Sequence, residues 1–119
     1  MSLITNYYWT FKKGSKGKVL TGNLRDADGP FQITGTLTVK AWKPRSTTNA
    51  WDVVACVPDA DQVNNKGDFS ITLNDTTAAI DAGTYNIEFK HSSGGNDSFW
   101  PDDANPNKTY GTLVVTESR

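Results

Sequence analysis

The run Asp81-Ala82-Gly83-Thr84-Tyr85, continued by Asn86-Ile87-Glu88-Phe89-Lys90, joins a tight turn to a strongly alternating segment. Extended backbone sends successive side chains to opposite faces, so Tyr85, Ile87 and Phe89 share one side. Gly83 suits the bend that precedes them. In a two-sheet sandwich, a Tyr at the start of the sixth strand returns its hydroxyl to backbone upstream, and the buried ring keeps a partner for its polar end. The sequence predicts such a tyrosine corner at Tyr85; the alternative is an ordinary turn before an ordinary strand.

Helical periodicity is nearly absent from the remainder, whereas short runs of Val, Ile, Thr, Tyr, Phe and Trp recur between turn clusters. Seven strands are expected, approximately Tyr7 to Lys12, Lys18 to Asp26, Thr36 to Lys43, Ala50 to Val57, Asp68 to Leu73, Thr84 to Lys90 and Tyr110 to Thr116. The fold class they predict is all-β, an immunoglobulin-like antiparallel β-sandwich. With 119 residues there is material for a single domain over 1–119, burying about 65% of the surface of its unfolded form. Cys56 is alone, and Ile87 occupies the place where an antibody-type domain has its second bridging cysteine, so no disulfide is expected. Packing has to supply the stability.

Some positions are predicted in detail. Phe69, Ile71 and Leu73 alternate with Asp68, Ser70 and Thr72, one face apolar and one wet. Gly22 between Leu20 and Leu24 suggests a large ring over the missing side chain, with Trp9 and Trp42 as candidates. Trp42 falls on the outward side of its strand and is either exposed or drawn inward by a bulge, burial being favoured. Thr76 to Asp81 suits a single helical turn capped by Asp75 or Thr76. The segment 91–108, rich in Ser, Gly, Asn, Asp and Pro and broken by Phe99-Trp100-Pro101, reads as a long loop. Its aromatic pair is either a satellite core or a contact surface.

Charge selects no partner. Twelve basic and thirteen acidic side chains leave a net charge of −1, which gives no strong field toward nucleic acid or an anionic membrane. Met1 to Thr10 lacks the basic-then-apolar pattern of a secretory signal or anchor, so synthesis in cytoplasm is expected, and the sequons at Asn74, Asn96 and Asn107 read as turn chemistry.

Reaction chemistry is equally sparse. His91, the sole imidazole, is expected to be solvated, and Cys56 among valines is expected to be a small buried apolar residue. Gly14-Ser15-Lys16-Gly17-Lys18 lacks the spacing of a phosphate cradle. Asp59-Ala60-Asp61 with Asn64 and Asn65 has part of a calcium-loop pattern, but Ser70 stands where the bidentate glutamate belongs. Asp97, Asp102 and Asp103 are ordinary acids of a solvated loop. No catalytic residue, cofactor or metal is expected. Among four Trp, four Tyr and five Phe, Tyr85, Phe69, Phe89 and Trp42 are assigned to the core, with Trp9, Trp51 and Trp100 left for the surface.

The order of these features resembles a known family. An aromatic first strand, then Gly17-Lys18-Val19-Leu20-Thr21-Gly22-Asn23-Leu24-Arg25-Asp26-Ala27-Asp28-Gly29-Pro30, Ile33-Thr34-Gly35-Thr36-Leu37-Thr38-Val39, Gly67-Asp68-Phe69-Ser70-Ile71-Thr72-Leu73, the tyrosine-corner run and Gly111-Thr112-Leu113-Val114-Val115 are similar to the immunoglobulin-like N-terminal domain of phage upper baseplate proteins. The resemblance implies a non-enzymatic structural protein of a bacteriophage virion, made in the host cytoplasm, that docks to neighbouring tail, baseplate or fibre subunits. The chain ends after this domain without the stalk or receptor-binding part, which leaves a capsid decoration (cement) protein or neck component of the phage head as alternatives. Its partners would be other phage structural proteins, in a homo-oligomer or symmetric assembly, without nucleic acid or membrane. The expected contact residues are Tyr7, Tyr8 and Trp9 in a docking arm over 1–10, and Phe99 and Trp100 in the loop. A different class of function, a carbohydrate-binding module, would use Trp100 with Trp51 or Trp9 as stacking platforms.

Overall fold

Burial alternates along the strands, so each sheet has one apolar and one wet face. The computed structural model describes residues 7–26, 29–100 and 110–117. Its strands are β1 (Tyr8–Lys12), β2 (Val19–Asn23), β3 (Arg25–Asp26), β4 (Gly29–Pro30), β5 (Thr36–Trp42), β6 (Asn49–Ala55), β7 (Val57–Pro58), β8 (Asp68–Thr72), β9 (Gly83–Ser93), β10 (Asn96–Trp100) and β11 (Gly111–Thr116). The large sheet has the order β1-β11-β9-β5-β6, with β10 also on β9, and the small sheet has the order β2-β8-β7. Between them lies the core, including Phe11, Leu37, Val39, Ile87, Phe89 and Leu113 from the large sheet and Leu20, Phe69 and Ile71 from the small one. This is the expected all-β sandwich without a disulfide; Cys56 is buried and free.

One pairing departs from a purely antiparallel scheme. β1 runs parallel to β11, with Trp9 opposite Leu113 and Phe11 opposite Val115, so the first strand closes the outer side of the last. Alternation along β1 points Trp9 and Phe11 inward and leaves Tyr8 and Thr10 outside.

The tyrosine corner is formed. Tyr85 donates its hydroxyl to the Asp81 carbonyl, and Gly83 adopts φ +152°, a conformation that side chains disfavour. Gly22 also lies beneath a ring, but the ring is that of Phe69, its register partner, because the cross-strand neighbour is nearer than any aromatic of the other sheet. A Cβ on Gly22 would stand 2.6 Å from Phe69 Cζ. The helical turn is the 3₁₀ segment Thr77–Ala79, and neither Asp75 nor Thr76 caps it. Asn74 does so, its Oδ1 accepting from the amides of Thr76 and Thr77 at 2.9 Å each.

The expected loop at 91–108 is partly regular. β9 continues to Ser93, turns through Gly94 and Gly95 at φ +59° and +83°, and returns as β10. Two consecutive left-handed glycines are what a tight hairpin needs, so the polar composition conceals a ladder. Residues 101–108 lie outside the described residues. Trp100 pairs with Phe89 and Gly111 with Ile87, so β10 and β11 lie one after the other along the same side of β9.

Candidate functional site

Sheet edges are the first place a sandwich can recruit another chain, because unpaired backbone groups template a further strand. Here the edges at β1, β2, β6 and β7 are altered, while β10, paired with β9 alone, presents a further edge. At β2 the Trp9 indole donates to the Thr21 carbonyl at 2.8 Å, and just beyond the strand Tyr7 Oη accepts from the Arg25 amide at 3.1 Å. At β1 the Lys18 ammonium reaches the Thr10 carbonyl at 3.5 Å, and the Lys12 carbonyl accepts from both the amide and the hydroxyl of Ser15. β7 is two residues long and contains Pro58, which has no N–H to offer. β6 is bulged: Asp52 and Val53 both stand opposite Lys40, and Ala50 is a further unmatched residue. Bulges twist an edge away from flat pairing.

The faces are different. On the outer side of the large sheet, Thr36, Thr38 and Lys40 of β5, Glu88 and Lys90 of β9, Asp52 and Val53 of β6 and Phe99 of β10 line an open groove of about 520 Å³. Val53 is 72% exposed and Phe99 45% exposed. Between these two apolar positions run Lys40–Glu88 at 3.8 Å and Lys90–Asp97 at 3.7 Å, with Ser92 donating to Asp97 at 2.7 Å. Partial burial raises the Glu88 carboxyl above its usual range, and Lys40 opposes that shift. Half-exposed pairs of this kind add little to stability and hold the charges in register instead. Farther along the same face Trp42 meets Tyr110 edge-on at 4.8 Å, with the Lys40 ammonium 5.6 Å from the indole. Trp42 is therefore half-buried on the outer face, not in the core. The bulges lie on its partner β6 and do not turn it inward.

The structure divides the five residues expected to make contacts. Tyr8 and Phe99 are exposed, whereas Tyr7, Trp9 and Trp100 are buried. The last three share a role: their polar ends go to the backbone of β2 and β3, Trp100 Nε1 reaching the Arg25 carbonyl at 3.0 Å. Residues 7–10 are accordingly part of the fold and not a free arm; residues 1–6 lie outside the described residues. Trp51 is also internal, donating to the Thr77 carbonyl at 3.1 Å and stacking on Phe11. None of the three tryptophans assigned to the surface is there, so none offers a flat ring to a sugar. Val53 was not among the expected contacts. A strictly alternating β6 would have turned it toward the core with Trp51, and only the Val53-Val54 doublet hinted at a bulge.

Groups capable of chemistry are already engaged. His91 is buried at 4% exposure, contrary to the solvated position expected of it. Its Nε2 accepts from the Thr34 and Gly35 amides at 3.3 and 3.2 Å, and burial lowers its pKa. Burial pushes the Cys56 thiol up to about 12, far from a reactive thiolate. Asp61 spends its carboxylate on the amides of Val63 and Asn64 and on the Asn64 side chain, which lowers its pKa and makes a turn of the calcium-like sequence. Among the described residues no group of three or more His, Cys, Asp or Glu is placed to hold a metal; Asp102 and Asp103 lie outside them.

In comparisons with known proteins, no family model and no curated protein matches the chain.

Proposed function

We propose that this chain is a non-enzymatic structural protein of a bacteriophage virion that docks to neighbouring tail, baseplate or fibre subunits through the outer face of its large sheet. The observation that carries the reading is the contrast between altered edges and an open face on which Val53 and Phe99 flank a charge ladder. Exposed apolar positions within a polar surround suit protein association. A face contact of this size is weak alone, and a symmetric particle multiplies it over many copies. The hydrogen-bonded imidazole of His91 and the buried thiol of Cys56 favour a role in binding over one in turnover.

The same face would serve a capsid decoration or neck protein equally well. The test is immunogold labelling of particles purified from the producing host. Gold at fixed, symmetry-related positions on tail or baseplate supports the reading, gold on the head or neck supports the alternative, and particles lacking the chain overturn both.

A further inference from the structure

His91 ends the inward row of β9 at the point where the β9–β10 hairpin meets the strap that leads into β5. Its Nε2 faces two consecutive backbone donors, Thr34 N–H at 3.3 Å and Gly35 N–H at 3.2 Å. An imidazole nitrogen that accepts is unprotonated, so the proton of the neutral ring is on Nδ1. The strap is held close by a specific residue choice. A Cβ on Gly35 would lie 2.0 Å from the Ser92 carbonyl oxygen, so only glycine lets the backbone approach β9 this nearly. Phe31 of the same strap meets the imidazole edge-on at 5.1 Å and packs against Trp100 at 4.9 Å.

We propose that His91 is an acid-sensitive latch: protonation of Nε2 turns the acceptor into a donor, sets it against two amide N–H groups, and releases the strap 31–35 from the β9–β10 hairpin. The neighbouring rings of Phe31 and Trp100 would offer an imidazolium some cation–π attraction, but they cannot supply an acceptor for the two amides. Nothing charged among the described residues compensates. β5 faces the ring with Leu37, β10 with Trp100 and the strap with Phe31, while Lys40, Lys90 and Asp97 pair on the opposite side of the sheet. Consistently, desolvation is the cause that lowers the pKa of the group. The latch is independent of the virion reading and would operate in any setting that acidifies.

The experiment is amide exchange by NMR on the intact chain from pH 7.5 to 4.5, with protection factors corrected for intrinsic rates. Protection of Thr34 and Gly35 is expected to fall at least tenfold across the His91 titration, while the Ile87 and Phe89 amides keep theirs. In His91→Gln, whose amide oxygen can accept without titrating, Thr34 and Gly35 should stay protected throughout. Constant protection of both amides in the wild-type chain, or an equal loss in His91→Gln, overturns the latch. Should that variant fail to fold, the wild-type ¹⁵N imidazole shifts decide: a neutral Nδ1–H tautomer whose titration tracks the loss of protection supports the latch, and an Nε2–H tautomer refutes it.

Discussion

Trp9 of the large sheet donates its indole N–H to the carbonyl of Thr21, on the edge of the small sheet, at 2.8 Å. Its ring meets Phe89 and Phe69 edge-on at 5.4 and 6.1 Å, so one side chain joins both layers by packing and by a hydrogen bond. In a sandwich without a disulfide this is a cross-layer pin. Trp9→Phe keeps most of the ring and loses the donor, and a loss of about 1–2 kcal/mol is expected from the orphaned carbonyl. Trp9→Ala also opens a cavity and should cost about 3–5 kcal/mol. Urea unfolding of both variants checks this; unchanged stability in Trp9→Phe would mean that the N–H contributes nothing.

Gly22 is required by the ring opposite it. The Cβ of Gly22→Ala would fall 2.6 Å from Phe69 Cζ, which forces a core ring off its site. A destabilisation of about 1–3 kcal/mol is expected from overpacking. Combining it with Phe69→Leu, which vacates the contact, should make the two costs less than additive in a double-mutant cycle. Strict additivity would count against the contact.

Cys56 should be silent while the chain is folded. With its thiol pushed up to about 12 by burial, its thiolate fraction at neutral pH is roughly a thousandfold below that of an exposed cysteine. Labelling with a chromogenic disulfide should therefore follow the unfolding transition. The sign of the linkage is also fixed: the folded pKa is raised, so the contribution is complete below about pH 8.5 and lost as pH rises toward the folded value. Cys56→Ala should lessen that alkaline loss, and rapid labelling of the native chain would contradict the burial.

Much of this fold was legible because alternation is local. Phe69, Ile71 and Leu73, and Tyr85, Ile87 and Phe89, reveal their inward faces within five residues, and the corner at Asp81 to Tyr85 is a local device. The aromatics that proved internal were harder. Trp9, Trp51 and Trp100 are buried with each indole on the carbonyl of another element, at Thr21, Thr77 and Arg25, 12, 26 and 75 residues away, and alternation within one strand does not reveal such partners. For Trp9 a signal existed: Tyr7, Trp9 and Phe11 alternate with Tyr8, Thr10 and Lys12, which puts one aromatic row inside. The parallel pairing of β1 with β11 and the β6 bulge that exposes Val53 depend on distant partners, and so the outer-face site was only half visible, through Phe99.

The docking face can be separated from the fold by substitution. Val53 and Phe99 are exposed, so Val53→Lys with Phe99→Ser should shift stability by no more than about 1 kcal/mol. The most direct measurement is the copy number of this double variant in particles assembled in the producing host, set against the wild-type chain and a folded control altered at exposed Val63. Loss of the double variant from particles, with the control retained at wild-type level, is the expected result. Incorporation of the double variant at wild-type copy number would contradict docking through this face.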